Sequence, residues 1–493
     1  MSELPERSRI LVTGATGYIG GRLARQLLAS GHPVRAMARD VRRMSALQDA
    51  GAQCVEGDML NAASLTSAVE GIDVAYYLVH SMGGGADFEA RDRQAAHNFS
   101  AACRMAGVKR IIYLGGLGQS GPGLSKHLAS RQEVGDVLRE DGIPVTELRA
   151  AIIVGAGSAS FEIIRDLAKR LRVMICPRWV RSRCEPIAIH HVIAYLIGVL
   201  RVPESIGQVL DIGGGEVLTY EELLKQCAEV MGKGIFVIRV PVLTPRLSSY
   251  WLNLVTSVPI AVARPLVEGL RNDVVTTDRR IRDWIPLDRV TFRESVAIAF
   301  TEESAGPLPS RWTSAALATA DRYAVGDDVL RDERVRASTA PSDALFRAVE
   351  RIGGNTGWYY GNGLWRLRGM LDRIFGGVGL RRGRRHPEQV VPGDIVDFWR
   401  VEDYVPGKRL RLRAEMKIPG VAVLEFEVSE RQGGGSSLRQ SALFVPVNPL
   451  GRMYWEAMRP LHAFIFRGMA DGIVRAAEAG RDDGPDSLTT STA

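Results

Sequence analysis

The sequence predicts two domains of different class: an α/β domain with a doubly wound parallel sheet over residues 1–303, and an α+β domain over residues 345–480. Three observations predict this. Short β-branched runs alternate with longer helical patterns through the first 300 residues, which is how a parallel sheet with crossover helices reads. A glycine-spaced turn separates the first such run from the first helix. From Trp358 onward the pattern changes to short-spaced strands closed by one long helical segment. The length, 493 residues, sets a prior of two to four domains at about 150 residues each.

In chain order, the strands of the first domain are Ile10–Thr13, Val34–Ala38, Val74–Val79, Arg110–Leu114 and Val145–Leu148. The helices between them are Tyr18–Ser30, Ala62–Val69, Glu89–Ala106 and Ser125–Glu140. Asn61 with Ser64 marks one helix start, and Thr219 with Glu222 a full capping box. Thr219–Met231, an apolar segment around Trp251 and Phe292–Glu303 form a smaller lobe. Residues 304–344, rich in Ser, Ala, Pro and Arg, are expected to be a linker.

In the second domain the strands are Asp394–Trp399, Arg409–Lys417, Val421–Glu430 and Ser437–Val445, with turns at Pro406-Gly407, Pro419-Gly420 and Gly433–Gly435. Leu410, Leu412, Ala414 and Met416 alternate with Arg409, Arg411, Arg413 and Glu415, so one face is apolar and the other charged. A helix over Tyr454–Glu478 closes the domain, and a disordered tail is expected over 481–493.

Composition narrows the function classes. An apolar fraction of 46% with 24% charged residues excludes disordered, collagenous and coiled-coil chains. The net charge of +7 is carried almost wholly by Arg, since only seven of the 63 basic residues are Lys. Five cysteines, Cys54, Cys103, Cys176, Cys184 and Cys227, make no C-x-x-C pair, which fits a reduced, cytoplasmic setting. The amino terminus lacks the apolar core of a signal peptide. The 17 uncharged residues between Arg246 and Arg264, interrupted by Pro259, are expected to be buried or to lie at a membrane interface rather than to span.

The strongest chemical signal is Ile10-Leu-Val-Thr13-Gly14-Ala-Thr16-Gly17-Tyr18-Ile19-Gly20. Gly14 permits the tight turn, Gly17 lets backbone approach a pyrophosphate, and Gly20 lets the helix pack close to the sheet. The helix amino terminus offers N–H groups and positive dipole to phosphate. A strand before and a helix after make this a Rossmann dinucleotide-binding turn. At the end of the second strand, Arg39 suits a 2′-phosphate, whereas Asp40 would suit a free ribose hydroxyl. Arg39 therefore favours NADP(H), with NAD as the alternative.

With these residues in view, the first 300 positions resemble the short-chain dehydrogenase/reductase superfamily. They are most similar to its atypical branch of NmrA-like proteins and the NAD(P)H-binding accessory subunit of respiratory complex I. The resemblance rests on the glycine turn, on Gly57-Asp58-Met59 after the third strand, on Tyr77-Leu78-Val79-His80 ending the fourth, and on Gly207–Gly214. It implies that Asp58 and Met59 border the adenine, and that Leu78, Val79 and His80 border the ribose next to the nicotinamide. Standard members use an upstream Ser and a Tyr-x-x-x-Lys pair, the Tyr donating a proton and the Lys holding ribose. In the corresponding places this chain has Gly115-Gly116 and His127-x-x-x-Arg131. His127 and Arg131, four apart on one helix face, are the candidate catalytic pair. Arg131 would hold ribose hydroxyls, and its charge would keep His127 neutral and able to polarise a carbonyl.

No metal site is expected. His190 and His191 are adjacent and lack a third ligand, so they read as capping or surface residues. Arg381–Arg385 has no interleaved aromatics and reads as a solvated loop rather than a nucleic-acid patch.

Residues 345–480 resemble an uncharacterised domain found fused to such reductase-like domains, through Gly357-Trp-Tyr-Tyr360 and Tyr454-Trp455 followed by Pro460–Phe466. That resemblance implies a START-like, helix-grip fold with an apolar cavity, for which Trp399, Phe426, Phe444, Trp455, Phe464 and Phe466 are the candidate lining. The combined expectation is an NAD(P)H-dependent oxidoreductase on a small apolar, quinone- or isoprenoid-like substrate, with peripheral membrane association. The alternatives are a non-catalytic NADPH-binding redox sensor or assembly factor, and a lipid carrier.

Overall fold

The computed structural model describes residues 8–80, 88–118, 124–240, 266, 268–270, 272–305, 308, 310, 329–374, 384, 386, 388–416 and 418–479. The 246–264 segment, most of 381–385 and the 481–493 tail, all read from the sequence above, lie outside these residues. The chain forms two compact units, Met1–Ala318 and Thr319–Ala493.

The first unit is built on seven parallel strands: β1 (Ile10–Thr13), β2 (Val34–Ala38), β3 (Gln53–Glu56), β4 (Val74–Tyr77), β5 (Arg110–Gly116), β6 (Val145–Ala150) and β7 (Val209–Ile212). Their spatial order is β7-β6-β5-β4-β1-β2-β3, so the winding reverses between β1 and β4. Both faces are covered, which is why β1, β4 and β5 are near-continuous apolar runs. Helix α1 (Tyr18–Ala29) turns Leu23, Ala24 and Leu27 onto one face. Helices α2 (Ala62–Val69), α3 (Phe88–Met105) and α4 (Lys126–Glu140) cover the other. β3 has an exposed residue at each end and sits at the sheet edge, so its pattern is too mixed to read as a strand from periodicity alone.

Helices α5 (Ala159–Arg170), α6 (Ile189–Gly198), α7 (Tyr220–Val230) and α8 (Phe292–Ser304) complete the unit. α5, α7 and α8 share a separate apolar cluster around Phe161, Leu223 and Val296, which is the smaller lobe. The predicted capping box at Thr219 and Glu222 is present, and an unpredicted one at Thr291 and Glu294 starts α8.

The second unit contains a six-stranded antiparallel sheet ordered β8-β13-β12-β11-β10-β9. Its strands are β8 (Leu330–Ser338), β9 (Ile395–Val396), β10 (Trp399–Val405), β11 (Arg409–Ala414), β12 (Gly420–Glu430) and β13 (Ser436–Pro446). Helices α9 (Ser342–Glu350), α10 (Asn362–Ile374) and α11 (Pro449–Ala479) accompany it, and α11 packs on β8 and β13. The expected alternation in β11 holds: Leu410 and Leu412 are buried, while Arg409, Arg411 and Arg413 pair with Asp403, Glu425 and Glu402.

Two expectations are corrected here. The linker over 304–344 contains all of β8, whose alternating charges mark an edge strand rather than a loop. Phe464 does not line the interior; it is exposed, whereas Trp399, Phe426, Phe444, Trp455 and Phe466 are buried.

Candidate active site at the sheet switch point

The turn after β1 is shaped by what cannot fit there. Gly14 has φ +62°, and a Cβ on it would lie 2.8 Å from the Leu78 carbonyl oxygen. A Cβ on Gly20 would lie 2.3 Å from the Gly14 carbonyl oxygen, so any side chain there pushes α1 off the turn. On Gly17 a Cβ would lie 3.0 Å from that oxygen, and no other contact within 4 Å arises among the described residues. Thr13 locks the turn to β4: its hydroxyl donates to the Tyr76 carbonyl at 2.8 Å and accepts from the Leu78 N–H at 3.0 Å. Ser310 clamps the start of α1 by donating to the Tyr18 carbonyl.

Gly17 is the N-cap of α1 and supplies no side-chain cap, and the first turn carries no acidic residue. Amide N–H groups of that turn are thus left for an anion from outside. The turn from Gly14 to Gly20 is where the sequence places the pyrophosphate, and within it the Gly17 N–H is given to the Gly14 carbonyl at 2.8 Å. Tyr18 shares the turn through its backbone only; its ring is buried under Arg22.

At the end of β2, Arg39 is exposed. Asp40 is turned to its own chain: one carboxylate oxygen caps the Arg42 N–H, and both receive the Arg42 guanidinium at 3.0 Å. These bonds hold its carboxyl below the usual range, first through the Arg42 side chain. Asp58 and Met59 follow β3. Asp58 accepts from the Leu60 N–H, while the Met59 side chain is buried in the core and its carbonyl accepts from Asn98.

Past the end of β4, Leu78, Val79 and His80 are partly buried. His80 Nδ1 lies 3.0 Å from Asp92 Oδ2 of α3, and its Nε2 is buried without a hydrogen-bond partner among the described residues. His127 of α4 stacks obliquely on it, with ring centroids 5.0 Å apart. The two histidines therefore meet at the carboxyl ends of the strands, where open α/β sheets bind ligands. Burial, then His80 and then Arg131, push the His127 pKa down to about 3, against the pull of Asp92. His80 is also held below its ordinary value, chiefly by burial. His127 is neutral as expected, but burial rather than Arg131 is the main cause. Arg131 turns to β5: its guanidinium donates to the Leu114 carbonyl and lies 5.3 Å from the centre of the Tyr113 ring.

The missing Ser has a steric reason. A Cβ at Gly115 would stand 2.8 Å from Glu147 Oε1, and one at Gly116 3.0 Å from Leu128 Cδ2. Glu147 is fully buried and pinned by Arg139 and Arg149, so it cannot swing aside. The chain's one Tyr-x-x-x-Lys spacing, Tyr404 to Lys408, belongs to the β10–β11 turn of the second unit, where Tyr404 bonds Glu350. Sequence reasoning missed Asp92, which lies twelve residues from His80 on another element. His191 bonds the Asp288 carbonyl, and Arg384 bonds the carbonyls of Ile352 and His386, so both have structural partners. No metal-holding cluster exists among the described residues.

Residues 14–167 match the family described as NAD(P)H-binding, and residues 324–469 match a protein family of unknown function, DUF2867. Among curated proteins, an isoflavone reductase homolog of Zea mays is 39% identical over 16% of this chain and 28% of its own length. Pinoresinol reductase 1 of Arabidopsis thaliana is 30% identical over 32% of this chain, and the match spans about half of that relative, 52%. A (4-alkanoyl-5-oxo-2,5-dihydrofuran-3-yl)methyl phosphate reductase of Streptomyces griseus is 26% identical over 45% of this chain and 74% of its own length. A solved NADPH-dependent quinone oxidoreductase of Escherichia coli, complexed with NADPH, is 20% identical, covering 59% of this chain and 99% of that one, at a TM-score of 0.49. A likeness at that score says nothing of activity. The first unit carries an NAD(P)H-binding domain, and the curated relatives named above are reductases.

Proposed function

We propose that this protein is an NADPH-dependent oxidoreductase acting on a small apolar acceptor, quinone- or isoprenoid-like. The observation that carries the reading is the neutral His127, set against the Asp92-held His80 at the strand ends beside the glycine turn. Gly14, Thr16, Gly17, Ile19 and Gly20 would hold the pyrophosphate, Arg39 the 2′-phosphate, and Asp58 and Met59 the adenine side. Bound NADPH supplies a hydride. His127, being neutral, donates a hydrogen bond that polarises the acceptor oxygen, and solvent supplies the proton that the reduced product needs. Arg131 holds ribose hydroxyls in the role that Lys plays in standard members, and its contacts to Leu114 and Tyr113 fix it on β5.

The second unit is proposed as a START-like module for the apolar molecule. Support comes from Trp365 Nε1, Trp399 Nε1 and the Gln440 amide, all buried in its aromatic core without hydrogen-bond partners among the described residues. A second reading, a redox sensor or assembly factor that binds NADPH without turnover, is favoured by Gly115-Gly116 in place of Ser.

The test begins with fluorescence titration of both reduced nicotinamides. NADPH should bind more tightly than NADH, and Arg39→Ala should remove most of the difference, roughly ten- to a hundredfold for a charge-assisted contact. Equal affinities in the unmodified protein would sink the NADPH assignment. Asp40 should matter little to this preference, because its carboxylate is engaged with Arg42.

A further inference from the structure

We infer that the second unit docks on an anionic membrane surface through an apolar face on α10 and α11 bordered by arginines. This docking does not depend on the second unit's partner domain being a reductase.

Exposed large apolar side chains collect on these two helices. Leu364, Leu367 and Met370 of α10 are exposed, as are Leu450, Met453 and Phe464 of α11, with Met453 at 67% and Phe464 at 58%. Singly exposed apolar residues are normal on a soluble surface, but a run confined to two neighbouring helices is not. Each set lies on one side of its helix. At about 100° per residue, Leu364, Leu367 and Met370 point away from Trp365 and Gly369, which are buried. Likewise Leu450, Met453, Ala457, Pro460 and Phe464 follow one line, opposite Trp455 and Phe466. The helices are joined: Arg368 bonds the Tyr454 hydroxyl, Trp365 meets Phe466, and Tyr360, just before α10, packs edge-on against Phe464.

The charge beside this face selects the partner. From Asn362 to Met370 and from Pro449 to Arg467 there are five arginines, Arg366, Arg368, Arg452, Arg459 and Arg467, against one acid, Glu456, which pairs with Arg459. On the α10 wheel, Arg366 and Arg368 fall on either side of the apolar line. An apolar face with an arginine border is the pattern of a helix lying in a lipid interface, and anionic headgroups complete its charge. No helix among the described residues is long and apolar enough to cross a membrane, so the contact is peripheral.

Co-sedimentation of the full chain with vesicles tests this. Vesicles of equal parts phosphatidylcholine and phosphatidylglycerol should pellet the protein, and phosphatidylcholine alone should do so far less. Raising salt from about 0.1 M to about 0.5 M should release part of it. Met453→Glu and Phe464→Glu should each weaken binding roughly tenfold or more. Met453→Gln, which keeps the side-chain length, should act in the same direction, with an unchanged melting temperature and unchanged NADPH affinity. No pelleting, equal pelleting on neutral vesicles, or pelleting that survives the Met453→Glu/Phe464→Glu double variant overturns the proposal. A dimer that these variants turn into a monomer also overturns it, assigning the face to a second copy of the chain.

Discussion

At the end of β2, two adjacent side chains that could each select a cofactor have been separated by their neighbours. Asp40 spends its carboxylate on the Arg42 backbone and guanidinium, and Arg39 is exposed. A similar separation operates at the strand ends. His80 is oriented by Asp92 through Nδ1, whereas His127 meets it only ring to ring. This predicts a pH effect with a definite sign. The folded His127 titrates near 3 against an ordinary value of 6.5, so between those values the unfolded chain binds more protons and stability falls as pH falls. His127→Gln should lessen the loss of melting temperature on acidification through that window. An acid profile identical in both proteins would show that the imidazole is not held neutral. Arg39, the glycine turn and His127 were legible as residue types at recognisable spacings. Asp92 was not, because its partner lies on a different element and no local periodicity connects them.

Among elements, β5 shows why a motif can be absent for a packing reason. Gly115 lies over the buried Glu147 and Gly135 approaches it from α4, both without room for a Cβ. Gly115→Ser, which restores the usual residue type, should therefore destabilise the protein by about 1–3 kcal/mol through overpacking and confer no activity. Thermal melting checks this, and a stable, more active variant would refute the steric account. Gly17→Val should abolish binding of both nicotinamides by placing a side chain in the phosphate cradle, and fluorescence titration reads that directly. Strands buried on both faces and helices with a full cap were readable in advance, Thr219–Glu222 being the clearest. β3 and β8 were not, because sheet-edge strands carry polar or mixed residues and lose the apolar signature. The reach of α11, from Pro449, was underestimated because its first turn exposes Leu450 and Met453 rather than burying them.

For the whole molecule, the proposed function divides the work, giving cofactor chemistry to one unit and handling of an apolar molecule to the other. The first places a neutral imidazole against His80 at the strand ends, near the reversal of the sheet. The second has an aromatic interior and an apolar, arginine-bordered outer face. Reduction of an apolar acceptor unites these features, and turnover is the property on which the account stands. The direct measurement is loss of NADPH absorbance on mixing the purified full chain with a panel of quinones, aldehydes and enones, run in parallel with His127→Ala. The account predicts oxidation of NADPH by at least one apolar acceptor, and a drop of about 10²–10⁴ in rate for His127→Ala with NADPH affinity nearly intact. Tight NADPH binding with no turnover across the panel would contradict it and identify a binding protein; turnover that survives His127→Ala within a few-fold would remove His127 as the group that polarises the acceptor.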